Sequence, residues 1–172
     1  NRSDMRRLCF FLILLLVGPV SGIAIVEFCP DPFLSGDPDE YVVLEGTGSL
    51  DGIVVSDGEG GFRFPAGSDI SGRLVVARNS AAYLETHGMY PDFEVYDYSP
   101  IVPDVVRSGT FQLSNSGDQL MLYENSRLVQ EVVWPRDVTA RQGQVHFYEG
   151  GSWDPRVLML GQSRFTPAVF TE

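Results

Sequence analysis

Lysine is absent from this 172-residue chain, and all twelve basic residues are arginine. Cysteine occurs only as Cys9 and Cys29, and histidine only as His87 and His146. Each shortage excludes something. A phosphate-binding loop needs a Lys-Ser/Thr pair after its glycines, so Gly58-Glu59-Gly60-Gly61 is not one. Two cysteines cannot build a multi-cysteine zinc site, and two histidines without a cysteine partner make a weak one. No Gly-x-Ser-x-Gly elbow is present to raise a serine nucleophile. Helical periodicity is nearly missing, and so are long apolar runs, with one exception near the start.

That exception reads as a targeting segment. Met5-Arg6-Arg7 is a short basic stretch, Leu8–Val17 is apolar, and Gly18-Pro19-Val20-Ser21-Gly22 is small and helix-breaking. This is the layout of a secretory signal peptide over residues 1–22, with residues 1–4 an upstream overhang before the initiator Met5. Ten apolar residues fall short of the roughly 20 that span a bilayer, so cleavage is expected rather than anchoring. Export implies a secreted or cell-surface chain, with no transmembrane span after cleavage. It also leaves Cys29 alone, unable to form an internal disulfide and expected to be a small buried apolar residue.

Charge is heavily one-sided. The chain has 23 Asp and Glu, for a net of −11. Without residues 1–22 the balance is nine arginines against 22 carboxylates, a net of −13. Such a surface repels phosphate backbones, and the arginines are scattered singly, so no nucleic-acid partner is expected.

The rest of the chain consists of short β-branched and aromatic runs cut by Gly, Pro, Asn and Asp. Ala24–Cys29, Glu40–Glu45, Leu50–Ser56, Arg73–Ala77, Phe93–Tyr96, Gln119–Glu124, Arg127–Trp134, Gln144–Tyr148 and Val157–Leu160 have strand length and strand composition. Eighteen glycines and eleven prolines keep helices short. The pattern predicts one all-β sandwich over residues 23–150. Ser114-Asn115-Ser116-Gly117-Asp118 predicts a tight turn, with positive φ at Gly117 and Asp118 as turn-builder. Gln119–Glu124 then pairs with Arg127–Trp134 as a hairpin. Val26, Phe28, Val42, Leu44, Leu120 and Leu122 are the predicted core.

Four blocks of this sequence resemble the lamin tail domain, the immunoglobulin-like module of nuclear lamins that also occurs in secreted bacterial and archaeal proteins. They are IAIVEFCPDP, DEYVVLEG, LDGIVVSDGEGGFRFPAGSDISGRLVVAR and FQLSNSGDQLMLYENSRLVQEVVW, together spanning about residues 24–134. Val43 and Gly46 depart from the Glu and Asn common there. Leu50-Asp51-Gly52 replaces Leu-Ser-Gly-Trp, so Ile53 is expected to fill the place of a core tryptophan. The resemblance implies an immunoglobulin-like β-sandwich and no catalytic residues. Residues 151–172 read as a linker or the start of a further domain, in which Val157–Leu160 forms a strand and Phe165–Phe170 packs. GQSRFTP resembles the linker preceding a phospholipase D-like domain, but the His-x-Lys-x-Asp motif of such an enzyme cannot occur in a chain without lysine.

Three sets of residues are candidates for a site. Asp31, Asp37, Asp39 and Glu40 cluster carboxylates as calcium ligation requires, although their spacing fits no EF-hand, and solvated loop charges are the simpler reading. No other cofactor is expected. Tyr90, Tyr96 and Tyr98 fall in the least regular stretch, Ala81–Val106, read as a long loop. Long loops are often functional, and exposed aromatics beside carboxylates can stack on sugars or bind peptides. The alternative is that these rings pack onto a sheet. His87 and His146, on a loop and a strand, lack a nucleophile partner and are read as incidental.

Two functions follow. One is a non-catalytic extracellular interaction or anchoring module for a cell-surface component or an attached enzyme domain. The other is the accessory N-terminal part of a secreted phosphodiesterase whose catalytic domain lies beyond residue 172.

Overall fold

The computed structural model describes residues 22–139, 142–149 and 151–157. Residues 1–21 of the expected signal segment and residues 158–172 lie outside this range, and with them the expected packing of Phe165–Phe170. Among the described residues no helix is long and apolar enough to cross a membrane.

Eleven strands and one helix follow in chain order: β1 Ala24–Cys29, β2 Tyr41–Ser49, β3 Ile53–Ser56, β4 Gly60–Arg63, β5 Asp69–Ala77, α1 Ser80–His87, β6 Phe93–Glu94, β7 Val106–Gly109, β8 Ser116–Glu124, β9 Arg127–Thr139, β10 Gln144–Glu149 and β11 Ser152–Val157. They form two sheets, ordered β11-β10-β1-β2-β5-β6 and β7-β4-β3-β8-β9. All neighbours are antiparallel except β5 and β6. The class is the expected all-β, immunoglobulin-like sandwich.

Alternation along the strands builds the interior. Val42 and Leu44 of β2, Leu74 and Val76 of β5, Ile53 and Val55 of β3, and Leu120 and Leu122 of β8 all turn between the sheets and are buried. Ile53 is 1% exposed and does fill a core position. The β8–β9 hairpin forms as expected. Gly117 has φ 81°, and the reversal at Asn125 (φ 49°) and Ser126 (φ 66°) is a two-residue turn with both φ positive, which matches strand twist.

Val26 corrects the predicted core. The register between β1 and β2 shifts between Ile25 and Glu27, leaving Val26 as the extra residue of a bulge. A bulge changes which face the following residues take. Ile25 and Phe28 therefore face the interior, while Val26 packs only partly, against the opposite face of the sheet. Glu27 is fully buried there, accepting a 2.7 Å bond from the Tyr41 hydroxyl and pairing with the Arg73 guanidinium at 2.7 Å. Burial pushes its carboxyl up to about 8, against the pull of Tyr41 and Arg73.

Two further expectations change. The stretch from Ala81 is not all loop, because α1 occupies its start. Asn79 caps it by accepting from Ala82 N–H, and Gly88, at φ 78°, closes it with an N–H to the Leu84 carbonyl. The helix buries Tyr83 edge-on against Tyr41 and covers the outer face of the six-stranded sheet around Val43, Val75 and Ala77. Second, β11 pairs with β10 from Gln144↔Val157 to Glu149↔Ser152. The sheet thus crosses the boundary drawn after residue 150, and Val157 ends a strand of this sheet.

Leu122 is fully buried between the sheets, whereas Val133 on the partner strand is 63% exposed. Leu122→Ala should lower unfolding free energy by about 2–5 kcal/mol, and Val133→Ala by less than about 0.5 kcal/mol, the usual range for surface changes. Denaturant midpoints at constant slope would read both.

Candidate functional site

The loop after α1 is positioned by one carboxylate. β6 runs parallel to the end of β5, with Val76↔Phe93 and Ala77↔Glu94 in register, and Glu94 bridges to Asp104. The Glu94 side chain is fully buried and accepts three backbone N–H groups: Ser80 at 3.0 Å, Tyr98 at 3.3 Å and Ser99 at 2.9 Å. The side chain ties the middle of the 95–104 segment to the start of α1, and the Glu94 backbone joins the segment's two ends through Pro103 and Val105. Buried donors must find partners, and here one side chain serves Ser80, Tyr98 and Ser99 while Val95 and Tyr96 donate to the Ala77 and Arg78 carbonyls.

This anchoring decides where the three candidate tyrosines stand. Tyr96 is half-buried against the core. The Arg107 guanidinium lies 4.3 Å from its ring centroid and that of Arg78 5.9 Å away, a cation–π arrangement. Tyr90 and Tyr98 are exposed, Tyr98 at 59%, and Ile101 beside it reaches 69%. The packing alternative therefore describes Tyr96, and the exposed alternative describes Tyr90 and Tyr98. Ile101 escaped sequence reasoning because Ile101-Val102, a pair of aliphatics between Pro100 and Pro103, carries no periodic signal.

The calcium candidates do not converge on a point. Asp39 is buried and accepts from Phe33 and Leu34 N–H at 3.1 and 3.2 Å. Glu40 accepts from Leu113 N–H at 3.0 Å, and Asp37 from the Asn115 side chain at 3.1 Å. Burial raises the carboxyl pKa of Asp31 and Asp39 above the ordinary value, and that of Glu40 well above it. Nearby Asp37 and Asp39 raise Asp31 further. These groups organise the loop before β2. Among the described residues, the acidic group with ligand atoms within 4.8 Å of one another is instead Glu94, Asp97 and Asp104. Burial, then the charges of Asp97 and Glu94, raises Asp104. A hard cation wants six to eight oxygens, and Glu94 already spends both of its oxygens on backbone donors.

A second feature lies at one end of the sandwich. Asp37, Asp57, Glu59 and Asp118 wall a groove of about 700 Å³ floored by the 110–117 segment. Asp57 stands in the β3–β4 turn as expected and accepts from Glu59, Gly60 and Gln112 N–H; Asp118 is not in a turn but in β8, beside the bulge at Gly117, and accepts from Ser114 and Gln119 N–H. Their convergence on one groove is long-range, so spacing along the chain does not reveal it.

His87 is not on a loop; it is the last residue of α1. Its Nδ1 lies 2.7 Å from Thr86 Oγ1 and 3.2 Å from the Tyr83 carbonyl, and its ring stacks on Tyr83 at 3.9 Å. Thr86 in turn bonds Asp39. This Asp–Thr–His contact has triad components, but Thr86 and Asp39 are buried, which closes the hydroxyl to a substrate. His146 stacks on Phe28 at 4.6 Å, and its buried Nε2 has no partner. Burial lowers both histidines, His87 to about 4.

No family model, curated protein or solved structure matches this chain.

Glu94→Gln leaves one carboxamide oxygen to serve three N–H groups. It should cost about 1–3 kcal/mol for the buried donors left unmade and speed hydrogen exchange at Tyr98 and Ser99. Unchanged exchange there would remove Glu94 from this role.

Neutral His87 contributes stability that is complete above its ordinary pKa of 6.5 and is lost as pH falls toward 4. The raised carboxyls of Asp39 and Glu40 act in the opposite direction. The informative quantity is therefore the stability of the parent minus that of His87→Gln. This difference should be flat above pH 7 and fall by at most about 1.4 kcal/mol per unit between 6.5 and 4. A flat difference down to pH 4 would place the imidazole in solvent.

Proposed function

We propose that this chain is a non-catalytic extracellular interaction module of the lamin-tail-like kind, and that the 90–105 loop is its contact surface. The observation carrying this reading is the pairing of exposure with fixation. Tyr98 and Ile101 are the most exposed large side chains on a loop that buried Glu94 holds by its side chain at Tyr98 and Ser99 and by its backbone bridge at Asp104. A side chain presented on a pre-ordered loop loses little entropy on binding. A tyrosine face beside the Asp97 and Asp104 carboxylates suits a sugar ring, with the apolar face stacked and the hydroxyls bonded. The partner class is a cell-surface polysaccharide.

Retention on insoluble cell-wall polysaccharide tests this. The parent chain should co-sediment, and Tyr98→Ser/Ile101→Ser should remain in the supernatant with its melting temperature unchanged. Equal retention of the two would move the contact surface elsewhere. Assays on phosphodiesters, esters and peptides should show no turnover. Turnover that survives repurification and disappears on changing His87 or His146 would overturn the non-catalytic reading.

A further inference from the structure

The two outer faces of the sandwich differ. Helix α1 covers that of the six-stranded sheet, whereas the five-stranded sheet leaves Val106, Leu128 and Val133 exposed at 42%, 45% and 63%. Strand alternation puts these three on its outer face, and the register sets that face in rows. One row reads Val106, Arg63, Val54, Tyr123, Leu128, and the next reads Ser108, Gly61, Ser56, Met121, Glu131. The two halves of the face differ in relief. On β7, β4 and β3 a hollow of about 560 Å³ opens among Val54, Gly61, Arg63, Val106 and Ser108. On β8 and β9 the same rows carry the larger Met121, Tyr123 and Leu128. Charge is also unusual here. The chain has 23 Asp and Glu and a net of −11, yet these rows hold one carboxylate, Glu131, and one cation, Arg63, with Glu59 at the rim of the hollow. Neither Arg63 nor Glu131 has a hydrogen-bond or ion-pair partner among the described residues.

We propose that this face joins two copies of the chain in a symmetric dimer. A two-fold axis parallel to the strands and over β3 lays β4 on the second copy's β8, and β7 on its β9. Each row then meets itself reversed, as an isologous contact requires. Val54 meets Val54, Val106 meets Leu128, Arg63 meets the ring of Tyr123, and Met121 faces the notch over Gly61. The raised half of each copy thus fills the hollow half of the other. Arg63 also comes within one strand and one row of the second copy's Glu131, so both unpaired charges gain a partner, twice per dimer. Elsewhere two copies of so acidic a chain repel; on these rows the charges balance. Five strands, and about six residues along each, make a face of roughly 24 by 20 Å. Two such faces bury roughly 1,000 Å², the lower limit for a specific interface, so the dimer is reversible rather than obligate. The proposal stands whether or not the 90–105 loop binds a polysaccharide.

Sedimentation velocity of the full chain tests this, at about 0.15 M salt where long-range repulsion is screened. The chain should pass from monomer to dimer between low micromolar and about 200 μM, as a small interface implies. Val54→Arg sets two guanidiniums against each other on the axis and should weaken association by about tenfold or more. Arg63→Glu and Glu131→Arg should each weaken it by about fivefold, the upper range for exposed ion pairs. An equimolar mixture of these two variants should recover parental association, because every Arg63–Glu131 contact in the mixed dimer is again of opposite sign. Tyr98→Ser/Ile101→Ser should change nothing. A monomer at the highest concentration would overturn the proposal and leave the face to a different protein. Association that Val54→Arg leaves intact would place the contact elsewhere on the chain and overturn it too. So would failure of the mixture to recover when both variants melt within a few degrees of the parent.

Discussion

Carboxylates accept many of the backbone donors at the loops and strand ends of this protein, and its connections lean on that interaction. Asp39 holds Phe33 and Leu34; Asp57 holds Glu59, Gly60 and Gln112; Glu94 holds Ser80, Tyr98 and Ser99. Glu40, Asp118 and Asp92 hold Leu113, Ser114 and Val75. A strand satisfies its N–H groups through its neighbour, but an irregular segment crossing the end of a sandwich has no neighbour and must find acceptors elsewhere. A carboxylate is the most economical acceptor, taking several N–H bonds through two oxygens, each strengthened by charge. Much of the acidity of this chain is thus structural.

That arrangement has an electrostatic consequence. Carboxylates recruited to buried backbone are partly desolvated, and many lie near one another, so their charged forms are disfavoured relative to water. Asp39, Glu40 and Asp118 all carry raised pKa values with burial as the leading cause. The backbone bonds pull the other way without overcoming it. Arginine relieves the excess locally, at Glu27 through Arg73 and beside Glu40 through Arg78. At the groove between Asp37 and Asp118 no such relief is present among the lining residues. The negative potential there is a by-product of how the 110–118 segment is pinned.

How legible this was depends on the range of each interaction. The β8–β9 hairpin was legible because its signals are local: a turn cluster, a two-residue alternation, and Asn125-Ser126 between two apolar runs. Ile53 was legible through the resemblance, which set it at the place of a core tryptophan, and it is 1% exposed. Val26 was not, since a bulge adds one residue without any compositional mark and reverses the faces beyond it. Helix α1 was hidden by its length: at eight residues it shows little more than one repeat of apolar spacing, and its signature reduces to Asn79 before it and Gly88 after it. The boundary at 150 failed because Gly151 reads equally as the start of a linker and as part of the turn between β10 and β11.

For the candidate sites the same rule applies more severely. Asp31, Asp37, Asp39 and Glu40 are close in sequence, which made them look like a ligand set, yet Asp37, Asp39 and Glu40 each reach toward a different partner. Glu94, Asp97 and Asp104 do meet, through a bridge that joins Glu94 to a residue ten positions later. Asp57 and Asp118 reach the same groove from ends of different strands. In a chain with this many carboxylates, proximity in sequence carries almost no information about function, because any short window contains one. What distinguishes a carboxylate here is what its oxygens already hold. Glu94, with both oxygens filled by backbone donors, fixes a loop. Glu40, buried with one oxygen taken by Leu113 N–H, has a second oxygen that no donor among the described residues meets.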